Sequence, residues 1–168
     1  MGYRNKTYVA FDGDNDIHYY RLMLAWKQHD GITFDFYNAH ELNYAYDSSM
    51  EQSIKRQLRD RLLNSKVFVL LVGDRTRYLT KFVTWEIEQA LSLDLPIICI
   101  NLNGLREMDN DKCPPILKDK LAIHISFNAA IMEHALENWP NSHESYKKSP
   151  EKISPYFYKR EVYDRLGL

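Results

Sequence analysis

Six consecutive apolar side chains, Val67, Phe68, Val69, Leu70, Leu71 and Val72, are closed by Gly73. Successive side chains of a β-strand point to opposite faces, so a run with no polar position must be covered on both sides. Such a strand belongs inside a parallel sheet packed between helices, which leaves few architectures for the rest of the chain. Polar residues follow through Lys81, and then Phe82, Trp85, Ala90 and the pair Ile87 and Leu91 recur at helical spacing. The spacing predicts a helix whose first turn carries Glu86 beside its core-facing stripe, at the carboxyl end of the strand. Ligands of open α/β sheets bind at that edge, which makes Glu86 the first candidate for chemistry.

The flanking sequence repeats the strand and helix alternation. Residues 7–11 form a short strand that runs into Asp12, Gly13, Asp14, Asn15 and Asp16, turn formers that also cap helices, so a helix starts near Ile17 and stops at Asp30 and Gly31. Residues 32–37 alternate apolar and polar as a half-exposed edge strand does. A polar, aromatic loop over 38–48 holds His40, Glu41, Tyr44 and Tyr46, and Ser48 or Ser49 caps the next helix, with Glu51 and Gln52 in its first turn. Residues 95–100 are a fourth, wholly apolar strand, 121–127 a fifth, alternating one, and 129–139 the last helix. This order predicts an α/β fold with a doubly wound parallel five-stranded sheet in the flavodoxin-like order 2-1-3-4-5. One domain is expected over 1–139. The stretch 140–168, richer in Pro, Ser, Lys and Tyr, is expected to be a tail packed on the domain or partly disordered.

Charge and cysteine content narrow the classes of function. With 22 basic and 23 acidic residues the net charge is -1, which supplies no overall attraction for nucleic acid. The longest apolar runs fall far short of a membrane span and no apolar leader opens the chain, so a cytoplasmic protein without membrane attachment is expected. Cys99 and Cys113 are not in a CxxC arrangement, and Cys99 sits in a strand-like run, as a buried reduced thiol does. The Asp12–Asp16 turn opens like a calcium loop but has Ile17 where the turn glycine belongs and Met23 where the bidentate glutamate belongs. Walker A, GxGxxG, HExxH, zinc-ligand and GxSxG patterns are lacking, so no metal or separate cofactor is expected.

What remains is a set of side chains gathered at one sheet edge. The carboxyl ends of the first three strands deliver Phe11 with Asp12, Tyr37 with His40, and the segment leading to Trp85 and Glu86. An aromatic pocket with one carboxylate suits a flat cationic ring joined to a ribose, and the carboxylate would stabilise positive charge as the glycosidic bond breaks. The alternative is structural: Glu86 complements a helix N-terminus and Trp85 is core.

The stretch from Val69 to Thr76 followed by Phe82, Val83, Thr84, Trp85, Glu86 and Ile87 resembles the TIR-like family of bacterial proteins, in the branch found in Thoeris anti-phage systems. The resemblance covers roughly residues 6–128. It implies a TIR-type flavodoxin-like fold, an enzyme that cleaves NAD as substrate, a catalytic role for Glu86, and Trp85 as the aromatic before it. It further implies release of nicotinamide, and conversion of ADP-ribose into a cyclic isomer or adduct that activates a partner effector. Assembly into a homo-oligomer is common in such domains, and the loop 38–48, with Tyr44 and Tyr46, suits such a contact or a lid within one subunit. The alternative from the same family is a non-catalytic module that signals by homotypic assembly.

Overall fold

The computed structural model describes residues 6–29, 35–38 and 51–168. In chain order its main elements are β1 (Lys6–Ala10), α1 (Ile17–His29), β2 (Asp35–Asn38), α2 (Glu51–Leu63), β3 (Val67–Val72), α3 (Val83–Ser92), β4 (Ile97–Asn101), β5 (Ala122–Ser126), α4 (Ala129–Tyr146), β6 (Pro155–Phe157) and α5 (Arg160–Arg165). The expected end of the first helix at Asp30 and Gly31, the start of the second strand at Ile32, and the cap at Ser48 or Ser49 lie outside the described residues.

All strands are parallel, in the order β2-β1-β3-β4-β5-β6. The apolar run of β3 lies between β1 and β4, with Val69 opposite Val9 on one side and Ile98 on the other. Its odd positions, Val67, Val69 and Leu71, join α1 and α4 in one core through Met23, Ile131, Met132 and Trp139. Its even positions, Phe68, Leu70 and Val72, join α2 and α3 in the other through Ile54, Leu58, Val83 and Ile87. Both faces are covered, as a strand with no polar position demands. Truncating a side chain such as Phe68 to alanine at the centre of this stack costs about 3–5 kcal/mol.

The structure corrects the expected architecture at its C-terminal side. The sheet has six strands rather than five, because residues 155–157 pair with β5. β5 is therefore an interior strand, and all five of its side chains are buried, His124 included, although its sequence alternates. The last helix, expected over 129–139, continues through Pro140 to Tyr146. A proline inside a helix removes one hydrogen bond. Here the helix on either side of it is anchored by buried Trp139 and His143, and the imidazole Nε2 of His143 lies 3.2 Å from the carbonyl oxygen of Asp94. Beyond α4, Tyr163 of α5 is fully buried in the α1/α4 core. Among the described residues, no helix is long and apolar enough to cross a membrane.

Candidate functional site

At the carboxyl ends of β1 and β3 the chain leaves a cleft of about 320 Å³. One wall is the turn 11–14 after β1, and the other is the segment 78–83 that leads into α3. Each wall has a local cause. Asp12 folds the turn by accepting hydrogen bonds at Oδ1 from the backbone N–H groups of Asp14 (3.1 Å) and Asn15 (3.3 Å), and at Oδ2 from the Asn15 amide (2.6 Å). Ahead of the opposite wall, Gly73 donates its N–H to Thr76 Oγ1 at 2.9 Å as the chain leaves β3.

Phe11 and Asp12 both line the cleft. Phe11 is at the same time largely core, stacked on Tyr20 with ring centroids 5.1 Å apart. The carboxylate of Asp12 is occupied by its own turn. Trp85 does not line the cleft: it is half-buried beside α2, with the Lys55 ammonium 5.5 Å from its ring centroid. Tyr37 is opposite Tyr8 in the β1–β2 register, its side chain outside the described residues, and His40 with the loop holding Tyr44 and Tyr46 lies outside them altogether.

Glu86 stands in the first turn of α3, three residues after Val83, which is part of the cleft wall. Residues three apart share a helix face, so Glu86 continues the face of Val83 one turn further along the helix. The side chain is 1% exposed and does not line the cleft. Instead, Tyr8 of β1 donates its hydroxyl to Glu86 Oε2 at 2.5 Å. Burial pushes the Glu86 carboxyl up to about 8, and the hydrogen bond from Tyr8 works against that rise. The Tyr8 hydroxyl is raised well above its usual range, chiefly by burial and then by the charge and hydrogen bond of Glu86. Burial thus favours the protonated form of the Glu86 carboxyl, and a cation brought close would favour its ionised form.

A second buried carboxyl, Asp16, sits at the start of α1 with its Oδ2 lacking a hydrogen-bond partner among the described residues, and burial together with the charge of Asp12 pushes it up to about 6. It rests against Gly73, where a Cβ would fall 2.2 Å from Oδ2. Sequence reading singled out neither Tyr8 nor Asp16. A tyrosine in a strand reads as core, and an aspartate before a helix reads as a cap, so neither carries a signal of its own. Among the described residues, no group of three or more His, Cys, Asp or Glu side chains is arranged to hold a metal ion.

The family model described as "Thoeris protein ThsB, TIR-like domain" matches residues 8–107, more than half of the chain. The chain belongs to this family. The matched stretch of this ThsB-family domain includes Tyr8, the cleft walls and Glu86, and it stops before β5. Among solved structures, a 2-deoxyribosyltransferase from Bacillus psychrosaccharolyticus superposes with a TM-score of 0.53 at 16% identity, covering 90% of this chain and 99% of that one. At that identity the likeness is one of fold. A comparison with curated protein sequences gives no match.

Proposed function

We propose that this ThsB-family domain cleaves NAD at the bond between nicotinamide and ribose, and that the ADP-ribose product becomes a signal for a partner effector in anti-phage defence. The observation that carries the reading is the buried carboxyl of Glu86 in the first turn of α3, beside a cleft with aromatic side chains at the carboxyl edge of the sheet. When the glycosidic bond breaks, its electron pair neutralises the nicotinamide ring and positive charge develops on the ribose. A carboxylate in a water-poor site stabilises that charge more strongly than the uncharged ground-state sugar. Water or a hydroxyl of the same molecule then captures the ribose carbon and releases its proton to solvent, which gives linear or cyclic ADP-ribose. The reaction requires the Glu86 carboxyl to lose its proton and to turn from Tyr8 toward the cleft. The fold-level likeness to a deoxyribosyltransferase is an analogy only.

One observation favours the second reading, a non-catalytic module that signals by homotypic assembly: the Glu86 carboxyl is satisfied inside the core and does not open onto the cleft. Incubating NAD with the purified protein, alone and in extract from phage-infected cells, separates the two. The enzyme reading expects nicotinamide from the wild type and none from Glu86→Gln of normal melting temperature. Turnover retained by Glu86→Gln removes Glu86 from the chemistry, and silence under both conditions favours the assembly module.

A further inference from the structure

Tyr8 has no rotational freedom to spare. It lies in β1, which is paired on both sides, its ring is fully buried, and it stacks on Phe68 with centroids 5.6 Å apart and planes 15° from parallel. The position of its hydroxyl is therefore set by the sheet, and that hydroxyl meets Glu86, 78 residues further along the chain. A neutral hydroxyl is a weaker partner for a carboxylate than a guanidinium, so the carboxyl is held in place without being locked into an ion pair. Among the described residues, Arg61 of α2 also acts on Tyr8, and its charge favours the ionised hydroxyl.

We propose that Tyr8 is a positioning residue for Glu86: its hydroxyl, fixed by β1, holds the resting carboxyl one helical turn behind the cleft wall at Val83 and controls how readily it ionises. This rests on the NAD-cleaving reading above. A carboxyl that must give up a proton before it can stabilise a cationic ribose needs a donor that favours the ionised form without outcompeting the substrate. A tyrosine hydroxyl in the core does this. Removing the hydroxyl leaves Glu86 equally buried and deprives its anion of a donor, so ionisation becomes harder.

The test reads Glu86 directly, by following its side-chain carboxyl carbon resonance against pH in the isotopically labelled full chain without substrate. In wild type the midpoint is expected near about 8. In Tyr8→Phe it is expected to move upward by on the order of one pH unit, and the pH dependence of nicotinamide release should move the same way with KM little changed. Incorporation of fluorotyrosine, whose hydroxyl is the stronger donor, should move the midpoint down, and it supplies the result if Tyr8→Phe does not fold. A midpoint unmoved by the variant that folds overturns the role of Tyr8 and leaves the NAD-cleaving reading standing. Midpoints that move as expected in a protein that never releases nicotinamide overturn that reading instead.

Discussion

Glu86 has a thermodynamic consequence that needs no substrate. A carboxyl whose value rises from its ordinary 4.5 to about 8 on folding holds a proton that the unfolded chain has already released over that interval. The folded state therefore binds more protons than the unfolded one, and stability falls as pH rises from about 4.5 to about 8, by at most ~1.4 kcal/mol per pH unit. Glu86→Gln removes this slope. Melting temperatures of wild type and variant should diverge with rising pH across the interval, the variant gaining. The difference between the two isolates Glu86 from buried His124, which is lowered to about 4 by burial and pulls stability upward with pH between that value and its ordinary 6.5. Parallel curves would show that Glu86 is ordinary in its ionisation. Gly73 is a second single position with a sharp requirement, since a Cβ there would lie 2.2 Å from Asp16 Oδ2 and 2.9 Å from its carboxyl carbon. Gly73→Ala is expected to displace the Asp16 side chain and to cost about 1–3 kcal/mol in chemical denaturation. An unchanged midpoint would mean that Asp16 moves freely.

The elements carry the cleft by their ends. β1 supplies Tyr8 from its middle and Phe11 with Asp12 just past its end, while α3 supplies Val83 to the wall and Glu86 one turn on. The C-terminal elements β6 and α5 take part in neither, yet they complete the core: β6 closes the edge of β5 and Tyr163 is fully buried. Truncation after residue 139, where sequence composition places a boundary, cuts α4 in the middle and uncovers both. That variant is expected to lose several kcal/mol and its cooperative melt. A soluble fragment 1–139 that melts as sharply as the full chain would support the boundary. The proline that suggested it sits within a helix, because local propensity yields to the burial of Trp139 and His143 on either side.

For the protein acting as a unit, the prediction concerns assembly. The loop 38–48 lies outside the described residues, so the proposal that it forms a contact between copies rests on its polar and aromatic sequence. If copies complete one another's sites, nicotinamide release per subunit rises with protein concentration, and replacing Tyr44 and Tyr46 together by alanine flattens that rise. Activity strictly proportional to protein over a wide range, with a monomer throughout by light scattering, eliminates the contact in favour of a lid.

The α/β class was legible in the chain because periodicity reports burial: an apolar run such as 67–72 has one stable environment, and a glutamate in the first turn after it lands at the sheet's carboxyl edge. The turn chemistry of Asp12 was legible for the same local reason. Long-range pairings leave no such trace. A hydrogen bond between residues 78 positions apart, the fit of Asp16 against Gly73, the turning of Trp85 toward Lys55, and the sixth strand all depend on which faces the packed sheet brings together. Side-chain type and spacing along the chain fix which elements form; the character of Glu86, a buried acid facing a tyrosine rather than an exposed carboxylate, comes from desolvation that exists only once β1 and α3 have packed.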